Sequence, residues 1–212
     1  MNQFFWSLTA TLTATLIHAD EVALVTLKSE KENRQFAIEF YESDAPVHVE
    51  NFKQLARKGF YEDVAVHRVF PGLLVQMGDP LSKRKDRSRV GTGGPGYTIQ
   101  AEIRRKHTKG AVAAARLPDK INPSRVSNGS QFYVCLAPMP NLDGQYTVFG
   151  KVLWGLEGLQ QLSSKPADSN DYPLERSIIR SVKVLAREQL PPPAPSTEGP
   201  RQEKKPWWRI FG

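Results

Sequence analysis

The sequence predicts a mainly β fold, a closed or nearly closed β-barrel capped by two helices. Two observations carry this. Eight short runs rich in β-branched or aromatic residues recur along the chain, bounded by Gly, Pro, Asn or Asp, and only two segments show helical spacing. Many short strands with few helices lead to a sheet that curls on itself, its ends covered by helices. The 212 residues suffice for one domain with extensions, and 40% apolar residues supply its core.

The eight runs are Val22 to Leu27, Phe36 to Tyr41, Val64 to Val69, Leu73 to Met77, Ala111 to Ala115, Phe132 to Leu136, Thr147 to Val152 and Ile178 to Leu185. The first helix follows Asp44-Ala45-Pro46: an acidic cap candidate, then a proline in the first turn. Val49, Phe52, Leu55 and Ala56 fall on one face of it, and Gly59 stops it. The second covers Gly155 to Ser163, with Leu156, Leu159 and Leu162 spaced by three. No internal repeat is found.

Both ends differ from this body. Phe4 to Ile17 carries no charge and has the length of a signal-peptide apolar region, too short to span a bilayer comfortably. Ala19 is a candidate last residue before cleavage, although no Lys or Arg precedes the apolar run. An uncleaved apolar anchor is the alternative. After Leu190 the chain reads Pro191-Pro192-Pro193-Ala194-Pro195, which predicts an extended or disordered tail. Near its end the tail reads Lys204-Lys205-Pro206-Trp207-Trp208-Arg209-Ile210-Phe211, bases beside a Trp pair that suit peripheral membrane contact or a partner, or have no role. The expected division is a signal peptide over 1–19, a domain over 20–188 and a tail over 189–212, in an exported, periplasmic or envelope-associated monomer.

Composition excludes several classes. Cys135 is the single cysteine, so neither an intramolecular disulfide nor a cysteine-cluster zinc site can form. Four scattered histidines lack ligand spacing, and no metal or cofactor is expected. The 29 Lys and Arg against 22 Asp and Glu give a charge of +7, which permits an anionic partner without demanding one. The basic runs Lys83–Arg89 and Arg104–Lys109 read as solvated loops, and no nucleic acid is expected. Gly91 to Gly96 lacks the Lys-Ser/Thr ending of a phosphate loop, and Cys135 reads as a small apolar strand residue.

The chemistry-bearing segment is His67-Arg68-Val69-Phe70-Pro71-Gly72-Leu73-Leu74-Val75-Gln76. Arg68 and Gln76 stand in apolar strands on either side of a Pro-Gly turn, which brings the two strands together. A half-buried Arg needs acceptors, and Gln offers one. Downstream lie Ser127-Asn128-Gly129-Ser130-Gln131-Phe132-Tyr133-Val134 and Asn141-Leu142-Asp143-Gly144-Gln145-Tyr146-Thr147-Val148-Phe149-Gly150. Further blocks are Glu50-Asn51-Phe52, Gly91-Thr92-Gly93-Gly94 and His107-Thr108-Lys109-Gly110-Ala111-Val112. These six ordered blocks, from about Val22 to Leu185, resemble the cyclophilin family of peptidyl-prolyl cis-trans isomerases.

The resemblance implies a closed, eight-stranded antiparallel barrel capped by two α-helices and proline-containing polypeptides as substrates. It implies Arg68 as the catalytic cation aimed at the prolyl nitrogen, with Gln76 as its partner. Leu73, Leu74, Phe132, Tyr133 and Leu142 would wall an apolar proline pocket. Gln131, Tyr146 and the backbone at Ala115 and Arg116 would hold the peptide. Some positions depart from the family pattern. Leu73 and Leu74 replace a Phe-Met pair, and Tyr133 replaces a pocket Phe, so that its hydroxyl needs a partner. Asn141 stands where the family has Trp, Tyr146 where it has His, and Arg116 where it has Asn. Strong cyclosporin binding is therefore not expected. The alternative reading is a catalytically weak module that binds Pro-containing segments.

Overall fold

The computed structural model describes residues 20–30 and 32–193. The signal-like segment 1–19 and the tail from residue 194 onward lie outside the described residues.

The strands are β1 (Glu21–Lys28), β2 (Asn33–Phe40), β3 (Arg68–Phe70), β4 (Leu74–Met77), β5 (Ala111–Ala114), β6 (Phe132–Cys135), β7 (Val148–Trp154) and β8 (Ile178–Ala186), with helices α1 (Pro46–Arg57) and α2 (Leu156–Ser163). One antiparallel sheet runs β3-β4-β6-β5-β7-β2-β1-β8. Its concave side holds the core, where Phe52 of α1 meets Phe132, Phe149 and Tyr61 with ring centroids 5.1–5.5 Å apart. Edge-to-face and tilted contacts of this kind add to the area each ring buries.

The expected closure is corrected. The sheet is curled into a half-barrel, with β3 and β8 as its two edges and no ladder between them. The reason lies in the third strand-like run, of which only Arg68–Phe70 enters the ladder. Its earlier half crosses the gap irregularly: Ala65 bridges Ile178, Val66 N–H donates to the Ser177 carbonyl, and Ile179 N–H donates to the Val64 carbonyl.

The capping of α1 is also corrected. Ala45, not Asp44, is its N-cap, and no cap side chain serves it. The Glu102 carboxylate, distant in sequence, accepts the free N–H groups of Val47 and His48 at 3.2 and 3.1 Å. Asp44 instead binds Arg105 Nε at 2.7 Å.

The sheet buries residues on both faces. Along β6, Phe132 and Val134 enter the main core, while Tyr133 and Cys135 join a second cluster with Ala111, Ala113 and Val148. Leu74, Leu142, Met139 and Tyr146, all partly exposed, lie over this second cluster. An antiparallel sheet usually gives one face to solvent, so this outer apolar patch points to a site.

Candidate active site

An open groove of about 840 Å³ runs over that outer patch, lined among others by Arg68, Leu74, Gln76, Gln131, Tyr133, Leu142 and Tyr146. Ladder register explains the convergence: Arg68 pairs with Gln76 across the β3–β4 hairpin, and Gln76 pairs with Tyr133 on β6. Residues paired across antiparallel strands present their side chains to the same face. The Pro71-Gly72 turn makes the hairpin, with Gly72 at φ +69° and Leu73 N–H on the Phe70 carbonyl at 2.9 Å.

Arg68 is half-exposed. Its guanidinium lies 4.6 Å from the Phe70 ring centroid, and its Nε faces Asp171 Oδ2 at 3.4 Å. Gln76 Nε2 donates to Gln131 Oε1 at 3.0 Å, and Gln131 Nε2 donates to the Gly91 and Gly93 carbonyls. Gln131 thus ties the sheet to the glycine loop. Asn128 completes the tie, since its Nδ2 donates to Gly93 O and its Oδ1 accepts from Gln131 N–H at 3.0 Å.

Tyr133 carries the apolar wall and satisfies its hydroxyl below it. Its oxygen lies 3.0 Å from Nε2 of His107, whose Nδ1 lies 3.0 Å from Asp143 Oδ1. Burial pushes the His107 pKa below its ordinary value, outweighing the opposite pull of Asp143. The neutral ring then donates from Nδ1 to Asp143 and accepts the Tyr133 hydroxyl proton at Nε2. Burial holds the Tyr133 phenol far above its usual range, so it remains a donor. His107 also meets the Tyr146 ring edge-on, bracing two groove residues at once.

Among the expected residues, Arg68, Gln76, Leu74, Ala115, Arg116, Gln131, Tyr133, Leu142 and Tyr146 all line the groove. Phe132 does not. Strand alternation turns it into the core, where it is 1% exposed, and this corrects its assignment to the pocket wall. Leu73 sits on the hairpin turn, 48% exposed, and is not among the groove-lining residues. Ala115 has its N–H on the Gln131 carbonyl and its carbonyl on Asn128 N–H, both at 2.9 Å. The Arg116 side chain is a strut: its Nε donates to the Gln145 carbonyl at 2.7 Å, its Nη1 meets Asp119 at 2.6 Å, and it stacks over Tyr146.

Sequence reasoning missed Asp171 and the wall formed by Leu117, Ile121 and Val126. Asp171 lies on an irregular segment with no local pattern to flag it. Leu117 and Ile121 are visible in the sequence as apolar residues in a Pro- and Asn-rich loop, a signal for exposed binding groups. Among the described residues no cluster of metal-ligating side chains occurs.

Residues 24–184 match the family model described as cyclophilin type peptidyl-prolyl cis-trans isomerase/CLD. A Helicobacter pylori peptidyl-prolyl cis-trans isomerase is 39% identical over 145 residues, covering 67% of this chain and 79% of the relative. The peptidyl-prolyl cis-trans isomerase-like 1 of Emericella nidulans is 36% identical over 152 residues, covering 71% and 88%. A crystal structure of a Cryptosporidium parvum cyclophilin type isomerase superposes with a TM-score of 0.66 at 27% identity, over 79% of this chain and 98% of the other. The same protein solved in the presence of the dipeptide Ala-Pro gives 0.65 at 26%, over 77% and 98%.

Proposed function

Because the chain belongs to the cyclophilin-type peptidyl-prolyl cis-trans isomerase family, we propose that its groove binds proline-containing segments and that Arg68 accelerates rotation about their X-Pro bonds. The solved relative studied with Ala-Pro supports proline-containing substrates. Amide resonance sets a barrier of roughly 18–20 kcal/mol, and uncatalysed exchange takes roughly tens to hundreds of seconds. Twisting the bond localises a lone pair on the prolyl nitrogen. A guanidinium donor beside that nitrogen stabilises the twisted state more than either planar one, which is the condition for catalysis.

The observation that carries this reading is the strand register that sets Arg68 across from Gln76 beside an apolar outer cluster. The expected side-chain partnership is corrected, since Gln76 bonds Gln131 and Arg68 meets Asp171. The proline ring rests on Tyr133, Leu74 and Leu142 while the acyl side turns. Gln76 and Gln131 stay fixed through the glycine loop and orient the substrate backbone. The reaction is a rotation, so it needs no nucleophile and no cofactor. Replacing Arg68 by Ala is expected to lower kcat/KM on a proline peptide by about two orders of magnitude, the scale for one lost transition-state donor. Exchange NMR on the purified chain reads this directly, and an unchanged rate removes Arg68 from the mechanism.

The second reading, a binding module with little turnover, is favoured by Asp171, whose carboxylate competes for the Arg68 cation. Equal affinity for the proline peptide without acceleration of its exchange would establish it. We also propose export of the chain and action on folding proteins outside the cytoplasm, on the strength of its apolar start. N-terminal sequencing of the protein recovered from its native cell should then begin at Asp20.

A further inference from the structure

Two strongly basic loops adjoin the groove. Residues 20–193 carry 25 Lys and Arg against 20 Asp and Glu, a net +5. The segment from Lys83 to Arg89 holds five bases and one acid, and the segment from Arg116 to Arg125 holds three bases and one acid. Together these two loops contribute +6, while in the remainder of the domain the basic run Arg104–Lys109 is offset by acids elsewhere, for a net of −1. Both loops run directly into the groove wall: Val90 and Gly91 follow the first, and Leu117, Ile121 and Asn122 belong to the second.

The first loop is held in place. The buried Asp79 carboxylate accepts N–H groups from Leu81, Gly91 and Gly93, pinning both ends. Arg87 stacks 4.0 Å from the Tyr172 ring centroid, next to the groove-lining Asp171. Arg84, Lys85 and Arg89 are exposed, and among the described residues they form no ion pair; the same holds for Lys120 on the second loop. Cations on two loops that both lead into one cleft raise the local concentration of anionic segments that enter it.

We infer that this enzyme selects proline segments flanked by acidic residues, with Arg84, Lys85, Arg89 and Lys120 receiving the carboxylates. The inference rests on the groove being the peptide site. A peptide is the occupant favoured over nucleic acid because both basic loops lead into a cleft walled by apolar side chains such as Leu74, Leu142, Leu117 and Ile121.

The test compares three peptides of equal length around one Ala-Pro bond, flanked by Glu, Gln or Lys, at low and at high ionic strength. The Glu peptide is expected to exceed the Gln peptide in kcat/KM by about five- to tenfold at low salt, mainly through KM, with the Lys peptide lowest. High salt should collapse the order, because exposed charges are screened beyond about 10 Å at 0.1 M. The pair Arg84→Glu and Lys85→Glu should bring the Glu-to-Gln ratio to one or below. The pair Arg180→Glu and Lys183→Glu, on exposed positions of β8, makes the same change in net charge and should leave the ratio intact.

Equal turnover of Glu and Gln peptides at low salt overturns the inference. So does a ratio lost equally in both double variants, which would mean net charge alone. Binding of a mixed-sequence single-stranded oligonucleotide more tightly than the Glu peptide also overturns it, in favour of nucleic acid. Absence of turnover on all three peptides would instead overturn the isomerase reading beneath it.

Discussion

At the scale of single residues, Tyr133 shows how one extra oxygen constrains a site. Its hydroxyl is buried and answered by His107, itself fixed by Asp143. Replacing Tyr133 by Phe leaves the apolar wall but orphans His107 Nε2. A buried acceptor left unpaired costs about 1–3 kcal/mol, so the variant should melt earlier while retaining turnover on a proline peptide. Wild-type melting combined with lost turnover would assign the hydroxyl to catalysis instead. The nearby Cys135 thiol, pushed up to about 12 by burial, is held in the unreactive form, in keeping with its reading as a strand residue. A thiol reagent that labels the native chain as fast as the unfolded one would contradict that burial.

At the scale of elements, the β4–β6 crossing sets the position of Gln131. Gly78 ends this crossing at φ +99°, and a Cβ there would lie 2.2 Å from the Ser130 carbonyl oxygen and 2.9 Å from Gln131 Cα. Both contacts are with backbone, which cannot swing aside. Gly78→Ala is therefore expected to cost at least about 2 kcal/mol, through the positive φ and the clash together. It should also lower kcat/KM by displacing Gln131. Denaturant titration and the isomerase assay read the two effects, and a neutral outcome in both would show that the crossing yields. Asp79 governs the adjacent loop in the same local manner. Asp79→Asn keeps one acceptor oxygen for Leu81, Gly91 and Gly93 and should loosen the loop, seen as faster amide exchange at Gly91 and Gly93.

At the scale of the whole molecule, three buried histidines make stability depend on pH. His48, His67 and His107 all have pKa values lowered from 6.5, and burial is the first cause each time. For His48 and His107 this wins over a hydrogen-bonded carboxylate. For His67 it outweighs the opposite pulls of Asp79, the Ala65 backbone and Gln131. The native state therefore binds fewer protons than the unfolded chain once the pH drops below about 6.5. The stabilisation from neutral histidines is fully present above that pH and is lost as pH falls toward the lowered native values. Denaturation midpoints should hold from pH 8 to 7 and decline between pH 6.5 and 5, before the carboxylates titrate. A midpoint constant across that window would mean that the rings charge freely in the folded state.

Side-chain period and turn residues, which are local, marked seven of the eight strands and both helices in the amino-acid order alone, and the end of the third strand-like run as well. The grouping of Arg68, Gln76, Gln131, Tyr133 and Tyr146 into one chemistry came from the resemblance of six ordered blocks to a known family. The tertiary structure alone decided what depends on distant partners. Glu102 caps α1 because the chain returns there, so the neighbouring Asp44 is left to Arg105. Phe132 faces the core and Tyr133 the groove because the pleat and the strand order choose a face, and period two cannot say which face is inside. The two edges are joined only by the single bridge at Ala65 and Ile178 and its flanking bonds, with no continued ladder, a matter of where Ser177 to Ile179 arrive. Asp171 meets Arg68 for the same reason: contact across a hundred residues is written in the fold, not in any neighbouring pattern.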